Sequence, residues 1–305
     1  MLQLRALNRQ ALRRLERESP FPPAWTTMPQ LEALGDAWLA RLREARRVEA
    51  SSAPRLARTL ERFDRHLLSD TVELLDRDEV SDTRKLRMVR ALARQNHALL
   101  SHHRFLATIE PHVRAIARRF GRPARLLELA SGAGEFSLAC AAHARDRRLP
   151  LEVSGSDIVE AYVASANAAA KQRNIPASFR RLNAFDLSEL GPETYDIVFI
   201  SQSMHHFSGG QLAMMMAQAQ RVATTAFVGV DGRRSLLLLG VVPLLAALQG
   251  TLDLVHDATL SARKFYSEAE LELIARIALP GATVRARSAH PGFSVLNASF
   301  RTPRP

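Results

Sequence analysis

The sequence is poor in cysteine, and its one cysteine is Cys140. A single cysteine cannot form a disulfide within the chain, so nothing in the fold requires an oxidising compartment. Long hydrophobic runs are also missing: the longest, residues 236–248, is too short to cross a bilayer and contains Pro243. The first residues lack the apolar segment of a signal peptide. We therefore expect a cytoplasmic protein with no membrane partner.

Lysine is nearly absent, occurring only at Lys85, Lys171 and Lys264, so arginine supplies most of the net charge of +11. Basic charge attracts nucleic acid or anionic membranes. The arginines are scattered among acidic residues, which favours an arginine-rich proteome over a nucleic-acid-binding surface. The chain of 305 residues, 47% hydrophobic and 24% charged, has the composition of a globular protein of one or two domains.

The first hundred residues show no convincing strand. Amphipathic helical patterns cover about residues 1–18, 29–48, 54–68, 70–76 and 83–120. Proline-rich residues 19–23 end the first pattern, and Asp82 can cap the last one. These patterns predict an all-helical N-terminal cap over residues 1–105, followed by a second domain over residues 106–305.

From residue 124 the pattern changes to alternating strands and helices. The predicted strands cover residues 124–130, 151–155, 177–182, 195–201 and 225–230. Alternation of this kind predicts an α/β fold with a parallel sheet between two layers of helices. Two closing strands, about 282–289 and 293–300, have no helix between them and are expected to pair as a hairpin.

A glycine turn follows the first predicted strand. An apolar run, interrupted only by Glu128, leads into Ser131-Gly132-Ala133-Gly134. Glycine tolerates positive φ and lets a ligand approach bare backbone. Asp157 ends the second strand, about 20 residues further on, where a nucleotide-binding fold places the acid that holds ribose hydroxyls. The alternative for the glycines is an ordinary strand-to-helix turn. Asp157 could also cap the next helix, a role that is compatible with ribose binding.

The segment from Glu128 to Gly134 resembles the first motif of the class I S-adenosylmethionine-dependent methyltransferases, Asp/Glu-x-Gly-x-Gly-x-Gly, with Ala130 at the first glycine. This resemblance covers roughly residues 100–300. It implies a Rossmann-like, seven-stranded, doubly wound sheet whose last strand is antiparallel. It also implies S-adenosyl-L-methionine as the cofactor.

The resemblance implies contacts for each part of the cofactor. Gly132 and Gly134 let the backbone approach the methionine part, and Glu128 organises the turn or water near its amine. Asp157 accepts hydrogen bonds from the ribose, and Ile158 lies against the adenine. The whole set of cofactor-binding candidates is Glu128, Ala130, Gly132, Gly134, Asp157, Ile158, Asn183, Ala184, Phe185, Ser201 and Arg104.

Residues 182–186 look like the Gly-Asp-Ala loop of the family, with Asn183 in place of the acid. Asn183 is expected to accept from the adenine amino group, with Asp186 as its rival. Ala184 would bond the ring through its backbone, and Phe185 would wall the pocket. A plain surface turn is the alternative. Arg104 could pair with the methionine carboxylate, or belong to a solvated face.

Histidines supply the catalytic candidates. If the methyl acceptor is a hydroxyl, a base should remove its proton, and His205 or His206 at the end of the fourth strand could do so. A packed structural histidine is the alternative, because adjacent histidines do not easily face one cavity. His256, followed by Asp257, is the third candidate or a structural pair in the loop above the pocket. No metal site is predicted.

Residues 231–235 and 256–261 look like a bacterial subgroup acting on phenolic or polyketide products, with Gly232 where that subgroup has leucine. No Asp/Asn-Pro-Pro-Tyr/Phe motif follows the fourth strand, which argues against nucleobase N-methylation. We therefore expect an O-methyltransferase of small natural products (EC 2.1.1.-). The alternatives are an RNA methyltransferase using the basic cap, a non-enzymatic scaffold, or other chemistry with the same cofactor. Helix 236–248 would be core, the contact of a homodimer or, as a third alternative, one wall of an apolar substrate pocket.

Overall fold

Seven strands form one sheet in the computed structural model of the protein, which describes residues 2–249 and 251–300. The strands are β1 (Ala124–Leu129), β2 (Leu151–Asp157), β3 (Ala177–Arg181), β4 (Tyr195–Ser201), β5 (Ala223–Gly232), β6 (Thr283–Ala289) and β7 (Phe293–Ser299). Their order across the sheet is β3-β2-β1-β4-β5-β7-β6. β7 runs antiparallel to both of its neighbours, β5 and β6, whereas the pairs among β1 to β5 are parallel. The predicted Rossmann-like sheet, its antiparallel last strand and the closing hairpin are confirmed.

The helices before the sheet are α1 (Leu2–Glu18), α2 (Met28–Ser51), α3 (Arg55–Leu67), α4 (Asp82–Ala98) and α5 (Ser101–Phe120). The continuous helix predicted over 83–120 is wrong, because Leu100 adopts left-handed backbone with φ of +52° and separates α4 from α5. The pattern over 70–76 yields only a 3₁₀ turn at Leu74–Asp76. The division predicted at residue 105 falls inside α5 and remains a prediction.

The later helices are α6 (Glu135–Arg147), α7 (Glu160–Gln172), α8 (Gly209–Val222), α9 (Leu236–Ala247), α10 (Leu252–Lys264) and α11 (Glu268–Ala278). Ser208 and Ser267 begin α8 and α11 with reciprocal capping boxes. In α9, by contrast, Leu237 and Leu244 are 68% and 62% exposed, and only Ala246 of this helix is buried. The core alternative for α9 is therefore wrong, and the homodimer contact stays a prediction.

Both faces of the sheet are covered by apolar side chains. On β4, Val198 and Ile200 join the cluster under α2, α8 and α11, while Ile197 and Phe199 join the cluster under α5 and α6. A strand that is buried on both faces reads as a continuous apolar run, which explains the sequence of β4. None of the helices in the described ranges combines the length and apolarity that a membrane span needs.

The N-terminal helices share the core of the sheet. α2 packs on α8 and α11, and Trp38 and Leu42 lie in the same buried cluster as residues of those two helices. The approach of α2 to α8 is close enough that a Cβ built on Gly35 would lie 2.7 Å from the Cα of Gly210. This contact brings the cap over the carboxyl ends of the strands.

Candidate active site

A cavity of about 780 Å³ lies at the carboxyl ends of β1, β2 and β4. Its walls come from the glycine turn after β1, from the residues after β4, and from the N-terminal helices. Open α/β sheets bind ligands at this edge. The volume falls within the range of about 300–1,000 Å³ that is usual for pockets of small molecules and cofactors.

The glycine turn has the positive φ angles that its sequence predicts. Gly132 and Gly134 have φ of +55° and +78°, and Ala130 before them has +48°. A Cβ on Gly134 would overlap the ring of Phe179 on β3, so glycine is needed there for packing as well as for conformation. Gly132 lines the cavity and Gly134 lies behind it as the first residue of the turn into α6.

Asp157 holds this turn in place. One carboxylate oxygen, Oδ2, accepts the N–H of Gly132 at 2.8 Å, and Oδ1 accepts the N–H of Val159 at 3.0 Å. Burial raises the pKa of Asp157, and the backbone N–H groups oppose that rise. The residue thus serves the turn and the start of the next segment while still facing the cavity.

Glu128 lies at the floor of the cavity and is buried. The hydroxyl of Ser137 donates to its Oε2 at 2.7 Å, and the hydroxyl of Ser201 donates to its Oε1 at 2.7 Å. Burial raises the pKa of Glu128 to about 7 in spite of these hydrogen bonds. The side chain is therefore poised between its neutral and charged forms near neutral pH.

In the loop after β3, the side chain of Asn183 bonds to the backbone of the loop itself. Oδ1 of Asn183 accepts the backbone N–H of Phe185 at 3.0 Å, and Asn183 is exposed. Phe185 lines the cavity and packs edge-on against Phe207, with ring centroids 5.5 Å apart. Ile158 lines the rim and is 53% exposed.

His205 is held by one carboxylate. Its Nδ1 lies 2.9 Å from Oδ2 of Asp231, and its backbone N–H donates to the same oxygen at 2.9 Å. Because a carboxylate only accepts, Nδ1 carries the proton and Nε2 is directed elsewhere. That Nε2 lies 3.9 Å from Oε1 of Glu73.

His206 is held by a different carboxylate, from the 3₁₀ turn before α4. Its Nδ1 lies 2.7 Å from Oδ2 of Asp76, and its Nε2 lies 3.9 Å from Oε2 of Glu73. Burial works to lower the pKa of His206, but the hydrogen bond to Asp76 and the nearby carboxylates outweigh it and raise the pKa to about 9. Both histidines line the cavity, with ring centroids 4.3 Å apart. The expectation that neighbours in sequence would not share a cavity is therefore wrong.

Comparison with known families matches residues 126–225 to the family described as a methyltransferase domain. The protein is an S-adenosylmethionine-dependent methyltransferase. A search of curated proteins gave no match.

Two solved structures share the fold of this methyltransferase. The plantazolicin methyltransferase BamL, in complex with a triazolic desmethylPZN analog and SAH, is 15% identical with a TM-score of 0.53, over 70% of this chain and 90% of that one. The plantazolicin methyltransferase BpumL, in complex with SAH, is 13% identical with a TM-score of 0.53, over 80% of this chain and 98% of that one. At such identities the likeness establishes a common fold.

The glycine turn of the methyltransferase fits its cofactor, S-adenosyl-L-methionine. Among the described residues, the hydroxyl oxygens of Ser131 and Tyr162 are buried without a hydrogen-bond partner, and both residues line the cavity. Buried polar atoms in native proteins are normally paired. A ligand with amine, carboxylate and ribose hydroxyl groups supplies the missing partners beside Gly132 and Asp157.

The cavity of the methyltransferase gathers many of the predicted residues but not all. Those lining it are Glu128, Ala130, Gly132, Asp157, Ile158, Phe185, Ser201, His205 and His206. Gly134, Asn183 and Ala184 lie beside it without lining it. Arg104 and His256 are brought elsewhere: Arg104 donates to the carbonyl of His290 at 3.1 Å, and the side chain of His256 is 47% exposed.

Sequence reasoning missed several lining or supporting side chains of the methyltransferase. Asp231 lies in a segment that the sequence singles out, but nothing marks it as the partner of His205. Tyr162 follows β2 in an ordinary helical pattern. Glu73 and Asp76 come from a short segment with no motif, and Asp76 meets His206 across 130 positions of the chain.

Proposed function

We propose that the methyltransferase O-methylates a small, partly apolar molecule, of the class of phenolic or polyketide-like natural products. The observation that carries this proposal is the joining of the glycine turn and the histidine pair in one cavity under the N-terminal helices. Much of the wall of that cavity consists of apolar side chains, namely Leu39, Leu68, Val72, Leu75, Val89, Leu92 and Phe207. A partly apolar acceptor would bury its surface against them.

The cofactor end of the cavity would bind S-adenosylmethionine, which supplies an electrophilic methyl group. Asp157 retains lone pairs for the ribose hydroxyls while it holds Gly132. Ser131 and Tyr162 offer their unpaired hydroxyls to the polar groups of the methionine part. Glu128 adds a negative charge in its ionised form, which complements a positively charged ligand.

At the acceptor end, the chain must align a hydroxyl oxygen with the donor methyl and receive or release the proton of that hydroxyl. His205 and His206 form a histidine face, on which both Nδ1 atoms are already held by carboxylates. Nε2 of His205 is left to receive the proton, because the raised pKa of His206 keeps that imidazole protonated at neutral pH. Of the two, His205 is the more buried and is fixed by Asp231 through both its ring and its backbone. We therefore place the activation of the hydroxyl at this face.

The charges that line the cavity support a small molecule, and not RNA, as the substrate. Carboxylates of Asp36, Asp70 and Asp76 line the cap side. The basic lining residues are already paired: Arg43 with Glu270 at 2.8 Å, and Lys264 with Glu73 at 3.3 Å. A phosphate backbone would meet this acidic wall with few free cations to neutralise it.

The first test is methyl transfer from S-adenosylmethionine to a panel of hydroxylated aromatic acceptors, followed by mass spectrometry. A mass gain of one methyl group on an acceptor oxygen is the expected result. His205→Asn should lower turnover by about 100-fold or more with the cofactor affinity unchanged.

His112→Asn is the matched control, because His112 is half-buried, bonds Asn297 and lies on α5 away from the cavity. Full turnover in His205→Asn would remove this face from the reaction. Transfer to nitrogen or carbon throughout the panel would overturn the O-methylation.

A further inference from the structure

We propose that Glu73, His205 and His206 form a binding site for a divalent transition-metal ion of the zinc type. One ligand atom from each residue lies within 4.8 Å of the other two. Two imidazole nitrogens and one carboxylate oxygen are a donor set that proteins use for zinc and for non-haem iron. Such a set favours borderline metals over Mg²⁺ and Ca²⁺, which prefer oxygen ligands.

The spacing is close to what an ion requires. Each histidine Nε2 lies 3.9 Å from an oxygen of Glu73. Ligands at about 2.0–2.2 Å from one zinc ion lie roughly 3–4 Å from each other. Small movements of the side chains would bring all three atoms onto one ion.

The histidines are oriented as metal ligands usually are. Each Nδ1 faces its own carboxylate, Asp231 for His205 and Asp76 for His206, at 2.9 and 2.7 Å. In metal sites a carboxylate commonly holds the far nitrogen of a ligating histidine, which fixes the ring and makes the near nitrogen a better donor. Here both rings have such a carboxylate, and both Nε2 atoms point to the same glutamate.

Glu73 is buried, and one of its two carboxylate oxygens lacks a hydrogen bond. The hydroxyl of Ser261 donates to its Oε2 at 2.8 Å, but among the described residues its Oε1 has no hydrogen-bond partner. Nζ of Lys264 lies 3.3 Å from that Oε1 and supplies one positive charge. Three carboxylates, those of Glu73, Asp76 and Asp231, surround the two imidazoles, so Lys264, even together with a protonated His206, leaves an excess of negative charge that a dication would offset.

The role of this ion rests on the proposed function, although its binding does not. All three ligands belong to the acceptor end, where both histidines line the cavity. An ion there, with a position open to the cavity, would coordinate an acceptor hydroxyl and lower its pKa. The Nε2 atoms would then activate the hydroxyl through the metal, with the proton released to solvent.

The binding test uses the full-length protein, stripped with a chelator and dialysed against Zn²⁺ at pH 8, with the bound metal measured by mass spectrometry. One equivalent of zinc is expected. Because His205→Gln and His206→Gln each remove a ligand, each should weaken binding by at least the roughly 10- to 100-fold that loss of an outer-shell partner costs, while His112→Gln should bind zinc as the unchanged protein does. Absence of stoichiometric zinc, or equal binding by all variants, would overturn the site.

Glu73→Gln tests the carboxylate, and its thermal melting shows whether this buried change unfolds the chain. If it does, His206→Gln, at a side chain that is 16% exposed, carries the test. Lys264→Met separates a metal site from a simple ion-pair network. Removal of the competing ammonium should tighten zinc binding, and weaker binding in this variant would count against the proposal.

Methyl transfer after chelation separates the two proposals. Full transfer to a hydroxyl by protein that takes up no zinc would sink the metal site and leave the O-methyltransferase intact. Zinc uptake that depends on the three ligands, without transfer to any hydroxyl in the panel, would sustain the metal site and sink the O-methylation.

Discussion

Asp157 has two tasks within one carboxylate. It holds the N–H groups of Gly132 and Val159, and it faces the cavity where a ribose would lie. The sequence suggested that Asp157 could bind ribose and cap the next helix at once. The helix cap is wrong, because Val159 is the N-cap residue of α7 and no side chain caps that helix. Room for a ribose remains, because an ionised carboxylate has about four lone-pair sites and the two N–H groups use two of them.

Asp157→Ala should weaken the binding of S-adenosylmethionine by about 1–3 kcal/mol, since hydrogen bonds to a charged group are lost and the turn is released. Titration calorimetry measures this change. Asp146→Ala, at an exposed aspartate on α6, serves as the control. Equal affinity in the two variants would remove Asp157 from the site.

Glu128 predicts a pH dependence of cofactor binding. Because its pKa is about 7, the Glu128 carboxyl group is partly protonated at neutral pH when no cofactor is bound. A cationic ligand beside it favours the carboxylate, so binding should release protons and affinity should rise as the pH passes from 6 to 8.

Calorimetry in buffers of different ionisation enthalpy measures that proton release. Glu128→Gln should bind with little dependence on pH or buffer over this range. A wild-type enthalpy that is the same in every buffer would show that Glu128 keeps one protonation state throughout.

At the scale of elements, the contact between α2 and α8 fixes the cap on the sheet. A Cβ on Gly210 would overlap the carbonyl of Glu32, and neither backbone can move aside alone. Gly210→Ala should therefore lower the free energy of unfolding by about 1–3 kcal/mol, the usual cost of overpacking. Urea denaturation measures it.

Gly240→Ala on α9 is the control for this prediction, because a Cβ there meets no atom within 4 Å. In a helix, alanine in place of glycine should leave stability unchanged or raise it by up to about 1 kcal/mol. If both substitutions had the same effect, the close approach of α2 and α8 would not be a constraint on stability.

The strands were predictable because their signal is local. β4 is apolar from Ile197 to Ile200, and its bounds match the prediction. The break between α4 and α5 was not predictable, because Leu99 and Leu100 continue the apolar pattern and only the backbone of Leu100 departs from the helix. For α9 the apolar composition suggested burial, but exposure depends on which elements pack nearby.

At the scale of the whole molecule, one half of the candidate site was predictable from the sequence and the other half was not. Its cofactor half follows a contiguous motif, from Glu128 to Gly134, which the sequence displays. Its acceptor half is assembled from the cap, from β5 and from the turn after β4, so Glu73 and Asp231 reach the histidines only through the tertiary fold. No spacing rule connects residues this far apart. The net charge of +11 is likewise no guide to this cavity, whose cap side is acidic.

The shared core of the cap and the late helices has a consequence for biosynthesis. Trp38 and Leu42 of α2 are buried against α8 and α11, which leave the ribosome long after them. Until α8 and then α11 have emerged, the face of α2 that packs on them lacks its full set of partners. α2 is thus made early but reaches its final packing late, and its exposed apolar side chains must be kept from aggregating in the meantime.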